Sequence, residues 1–165
     1  MGLQILMTRA LSRIAATVVL AFLLSGQSYS IADLDSAFGK DTLVITASAH
    51  ACHRFDVWLA VTSKQHARGL MHVRFLAADA GMLFVYSAAE RRSMWMKNTY
   101  IPLDMLFIRR DGTVSSLVSN TEPLSLRAIS SIEPVTFVLE LNAGVAERLQ
   151  IGADSQVSWS QDAGD

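Results

Sequence analysis

What this sequence has little of narrows its identity before any motif is read. It holds a single cysteine, Cys52, so no disulfide forms within the chain and the apolar core must carry the fold unaided. Charged residues make up only 18% of it, and 14 Lys and Arg nearly cancel 15 Asp and Glu, leaving a net charge of −1. Such a balance provides no field to gather DNA, RNA or an acidic membrane. Glycine-rich phosphate loops and Gly-x-Ser-x-Gly elbows are missing, and no second ligand pair completes a zinc-type spacing. There are no internal repeats and no low-complexity segments. What is plentiful is apolar surface, 51% of 165 residues, which suits one domain with one core and excludes a disordered chain.

Part of that apolar excess sits in the first thirty residues. Arg9 and Arg13 precede an uncharged, apolar run, 14–24. At about 1.5 Å per helical residue, the run is too short for a hydrocarbon core of roughly 30 Å. Small residues follow, as Ser28-Tyr29-Ser30 or Ser30-Ile31-Ala32, and either fits a small-x-small cleavage site. Residues 1–32 therefore read as an export signal, the alternative being an uncleaved amphipathic anchor. No Cys follows the run to take a lipid. The expected compartment is periplasmic or extracellular, and no stable membrane span is expected in the mature chain.

Residues 33–41 read as a flexible polar lead-in, and 42–160 as one globular domain. Thr42–Thr46 is β-branched and apolar, a first strand. In Phe55–Val61 the odd-numbered residues share one face at period two. Thr62-Ser63-Lys64-Gln65 is a capping box that opens a short helix to about Leu70, with Gly69 as its exit. Residues 72–81 form a loop with Phe75 and Leu76 tucked beneath it. Met82–Tyr86 is a continuous apolar run, a central strand buried on both faces. Strands follow at Ser93–Lys97 and Leu103–Ile108, with Pro102 at a strand start. Asp111-Gly112 predicts a tight hairpin with two positive-φ residues, returning through Thr113–Ser119. Residues 120–134 read as a long surface loop. Val135–Leu141 is a strand, residues 145–150 a short helix, and Gln156–Trp159 a closing strand. The sum is a mainly β (α+β) fold: an antiparallel sandwich or barrel of about seven strands, with two short helices.

Four segments together resemble a family known as the domain of unknown function 192. They are Ala67-Arg68-Gly69-Leu70-Met71, Gly81-Met82-Leu83-Phe84, Trp95-Met96-Lys97-Asn98-Thr99 with Ile101-Pro102-Leu103-Asp104, and Val138–Gly144. In order and spacing they cover about residues 53 to 158. The resemblance implies a mainly β domain, commonly preceded by an export signal. It implies no activity, substrate or cofactor, so no catalytic residue carries over from it. One departure is Asp154-Ser155, where the family tends to show Gly-Asp before its last strand.

The Trp95–Asp104 block concentrates polar and aromatic residues in an otherwise apolar chain. Asp104 opens a strand in which Leu103, Met105 and Phe107 face one way while Asp104, Leu106 and Ile108 face the other. A buried carboxylate needs a partner, and Lys97 or Arg68 is the expected one. One reading makes Asp104 and Asn98 the polar contacts of a pocket, with Trp95 and Trp58 as walls and Arg68 as an anion contact. The other has Asp104 accepting backbone N–H bonds and fixing the corner. The leading expectation is a binding or accessory module for a small polar ligand or a peptide segment, using Arg68, Trp95, Lys97, Asn98 and Asp104, with no cofactor. A second is a hydrolase using Asp104 or Glu140 as acid or base. A third is periplasmic copper handling through His50, Cys52, His53 and methionines such as Met94 and Met96. Solvated loop residues and core packing are the plainer readings of those groups.

Overall fold

The computed structural model describes residues 31–47 and 51–159. The export segment up to residue 30, and His50 of the candidate copper set, lie outside the described residues. Elements along the chain are α1 (Ile31–Ala37), β1 (Gly39–Thr46), β2 (Cys52–Ala60), α2 (Ser63–Arg68), β3 (Ala80–Glu90), β4 (Ser93–Met94), β5 (Leu103–Ile108), β6 (Val114–Val118), β7 (Ile129–Ser130), β8 (Val135–Asn142), α3 (Val145–Arg148) and β9 (Gln156–Trp159). Seven strands form one sheet in the order β6-β5-β8-β3-β2-β1-β9, and β4 pairs with β7 apart from it. The fold is mostly β, as expected.

The sheet curls into a half-barrel whose edges meet at one corner. There Val157 N donates to Gly112 O (2.9 Å) and Val114 N to Ser155 O (2.9 Å). The approach is so close that a Cβ on Gly112 would lie 2.3 Å from Val157 O, and its φ of 86° is one that glycine tolerates best. The turn before it is not the two-residue primed type expected from Asp-Gly. Gly112 has positive φ and Asp111 does not, Arg109 N donates to Thr113 O, and the β5–β6 register shifts after Phe107. A three-residue loop with a bulge is the result. Asp154, at the departure from the family pattern, takes a φ of 69°.

Period two divides the core into two layers. Inward, Leu43, Ile45, Phe55, Val57, Leu83, Leu106, Leu139, Leu141 and Val157 pack with Val145, Ala146 and Ile151 around α3, which plugs one end. Outward, Met82, Phe84, Leu103, Met105, Phe107 and Val138 pack beneath α1 and the irregular segments that cover them. The strands of the middle sheet are thus buried on both sides, which explains their nearly unbroken apolar character.

Three local expectations are corrected. The stretch expected as a lead-in begins with α1, and β1 starts at Gly39. Leu34 and Phe38, one helical turn apart, both belong to the outer core, and Trp58 Nε1 donates to Asp35 (2.9 Å). The β2–β3 pair is parallel, because the intervening crossover holds α2 and is long enough to return the chain to the same end. Of the pair expected under the loop at 72–81, Leu76 is buried but Phe75 is 68% exposed.

Candidate functional site

The capping box forms as the sequence predicts. Gln65 N donates to Thr62 Oγ1 (3.3 Å) and Thr62 N to Gln65 Oε1 (3.0 Å). It starts α2 so that the helix crosses the outer face of the sheet, and Gln65 Nε2 binds Ala37 O (2.9 Å), tying α2 to α1. Between the end of α2, strand β3 and the segment 93–99 lies a cavity of about 250 Å³. His66, Arg68, Phe84, Tyr86, Trp95, Thr99 and Glu140 are among its lining residues.

Glu140 is the chemical centre of this cavity. On β8 it alternates with Leu139 and Leu141, so it faces outward while they face the barrel. Its cross-strand neighbours are Met82 on β3 and Met105 on β5, which set the carboxyl between two thioether side chains. It is only 4% exposed, and burial pushes its pKa from 4.5 up to about 8. Among the described residues no hydrogen bond or ion pair reaches it. At neutral pH the group is a carboxylic acid, able both to donate and to accept.

The neighbouring side chains are held by their own contacts. His66 Nε2 faces two carbonyls, Ala60 O at 2.9 Å and Val85 O at 3.1 Å, so that nitrogen carries the proton and donates. The His66 ring lies 4.4 Å from the Tyr86 ring, and the Arg92 guanidinium sits 3.9 Å from the Tyr86 centroid. Burial raises the Tyr86 pKa, Arg92 opposes this, and the Glu140 charge adds to it. Arg68 Nη2 donates to Asp33 O (3.4 Å), and its guanidinium lies 5.3 Å from the Phe38 ring, so α1 sets its position.

Of the five residues expected to bind, two line this cavity: Arg68, and Trp95, which is 49% exposed. Lys97 is outside it, its ammonium 5.3 Å from the Trp95 ring. Asn98 serves the corner: its φ is 56°, and its carbonyl accepts from His72 N (2.8 Å). Trp58 belongs to the outer core against α1. Asp104 is in a different place altogether. It is fully buried on the inward face, where Oδ1 accepts from Asn120 N (3.0 Å) and Oδ2 from Ala146 N (2.9 Å). Neither Lys97 nor Arg68 is its partner. Gly144, the residue before α3, has no side chain to cap it, so Asp104 caps α3 from a neighbouring strand.

The two acids of the hydrolase expectation, Asp104 or Glu140, do not act together: they lie on adjoining strands but on opposite faces of the sheet, so they cannot flank one bond. For copper, no group of three or more His, Cys, Asp or Glu is poised for a metal among the described residues, and Met82, Met96 and Met105 are core side chains. Glu140 had a readable signal: a lone acid within an apolar strand, out of phase with Leu139 and Leu141. His66 and Tyr86 had none, since only the α2 crossover brings them together.

The family model for DUF192, described as uncharacterized ACR, matches residues 43–159. A crystal structure from Sinorhizobium meliloti 1021, of a protein provisionally named a transcription regulator, is 41% identical, with a TM-score of 0.73 over 74% of this chain and 95% of that one. A protein of unknown function from Novosphingobium aromaticivorans DSM 12444 is 33% identical, with a TM-score of 0.73 over 76% and 89% respectively. None of the curated proteins matches significantly. The half-barrel and the family match agree, and the chain belongs to the DUF192 family.

Proposed function

We propose that this domain binds a small polar molecule in the Arg68–Trp95–Glu140 cavity and is not itself an enzyme. The observation that carries the reading is the Glu140 acid, buried in a cavity with no protein group bonded to it. An unpaired buried polar group costs roughly 1–3 kcal/mol, so a bound molecule that accepts its proton in a hydrogen bond offsets that cost. Arg68 disfavours cations and favours a carbonyl or carboxylate, while the Trp95 indole gives a planar or apolar part something to lie against. At about 250 Å³ the cavity is below the usual range of roughly 300–1,000 Å³ for drug-sized ligands, so the molecule is small.

Thermal-shift measurements with a panel of small carboxylates and amides test this on the wild type, Glu140→Leu and Arg68→Met. A ligand at 100 times its Kd adds about 2.7 kcal/mol. The expected result is a set of compounds that raise the wild-type Tm and leave Glu140→Leu unmoved. Equal responses of all three proteins, or none, overturn it.

The domain acts outside the cytoplasm on this reading, the support being Arg9, Arg13 and the uncharged run that follows them. Because α1 starts at Ile31 and places Leu34 in the core, cleavage after Ser30 keeps the fold whole, whereas cleavage after Ala32 shortens the helix. The intact mass of the exported protein decides it. The provisional name of the Sinorhizobium relative is not carried over, since 14 basic against 15 acidic residues leave no basic field for a phosphate backbone.

A further inference from the structure

We propose that the open end of the half-barrel is a second binding site, suited to a small amphipathic carboxylate. The two ends of the barrel differ. One is filled by α3, fastened by Asp104. At the other, the ends of β1, β2, β3, β8 and β9 surround a hollow of about 790 Å³. Mouths of small β-barrels are recurrent ligand sites, and this volume falls within the usual range.

The floor of the hollow is apolar. Leu59, Val85, Phe137 and Trp159 are partly or fully buried there, and the Phe137 and Trp159 rings meet edge to face with centroids 4.7 Å apart. One polar group at the rim is unengaged among the described residues. The Arg110 guanidinium is exposed and has no ion pair. Since Ile108 pairs with Phe137, the chain continuing from β5 carries Arg110 alongside the start of β8. The other charges at the rim are Lys40, paired with Asp35 at 2.6 Å, and Asp41, whose Oδ1 accepts from Thr42 N at 2.7 Å. The set is an apolar wall with Arg110 as a cation that no acid pairs among the described residues. That set complements an apolar chain or ring ending in a carboxylate.

The site is separable from the Glu140 cavity because each has its own tryptophan, Trp159 here and Trp95 there. The three indole N–H signals of the full chain, assigned by single Trp→Phe variants, are followed by NMR while octanoate, and separately 1-octanol, is added. The expected result is a saturable shift of the Trp159 signal by octanoate with Trp95 unmoved. Arg110→Gln then weakens octanoate several-fold and leaves octanol unchanged. The Arg110→Gln variant is checked for unchanged circular dichroism. No saturable shift of Trp159, a shift of Trp95 instead, or equal octanoate affinity in wild type and Arg110→Gln overturns the proposal.

Discussion

Asp104 and Glu140 stand on adjacent strands, are both buried, and have opposite fates. Asp104 points into the barrel, where both of its oxygens are taken by main-chain amides of Asn120 and Ala146. Glu140 points the other way, into a cavity, with Met82 and Met105 on either side and no donor. Burial is nearly the same, 0% against 4% exposed, so exposure does not separate structure from function here. What separates them is whether the protein's own amides occupy the oxygens. A satisfied carboxyl is a fastening; an unsatisfied one in a cavity is a candidate site.

The largest expected effect breaks the fastening. Asp104→Ala leaves the Ala146 N–H buried without an acceptor and frees the start of α3, at a cost of about 3 kcal/mol. For a domain of this size that lowers Tm by roughly 10 °C. A loss under about 1 kcal/mol in denaturant unfolding contradicts the structural role.

The next effect reverses sign at the other carboxyl. The folded pKa of Glu140, about 8, lies above its unfolded value of 4.5. Between those values the unfolded chain is charged while the folded one stays protonated, so this group's contribution is fully present below pH 4.5. It is lost as pH rises, levelling off above about 8. At 1.36 kcal/mol per unit, Glu140→Gln gains on the wild type by about 3 kcal/mol between pH 4 and pH 7. Unfolding curves of the two proteins at several pH values check this, and a pH-independent difference contradicts it.

The smallest effect concerns Lys97, expected from the sequence to bind and found exposed outside the cavity. Lys97→Ala changes stability by about 0.5 kcal/mol or less and leaves any ligand response intact. Loss of that response in the thermal-shift panel would return Lys97 to the site.

Much of the fold was legible because its causes are local. The capping box at Thr62–Gln65, the alternation through Leu103–Ile108 and the proline before it all depend on neighbours in the chain. Helix α1 was hidden because Asp33, Asp35 and Ser36 make its composition polar, while Leu34 and Phe38 reach the core and Ala37 packs against it. The site was half legible. Arg68 and Trp95 fall in distinctive segments, but the partner of Asp104 is 42 positions away and could not be read from a strand's alternation. Glu140 was visible as an acid in an apolar strand; that it faces a cavity depends on where α2 and the segment 93–99 cross the sheet.

The most direct test is to observe the Glu140 carboxyl itself. A carbon-13 NMR titration of the side-chain carboxyl resonances, assigned with Glu140→Gln, should place its midpoint near pH 8, as an acid with no protein partner requires. A midpoint near 4.5 would mean that the group is solvated or paired, and would contradict the assignment of this cavity as a binding site.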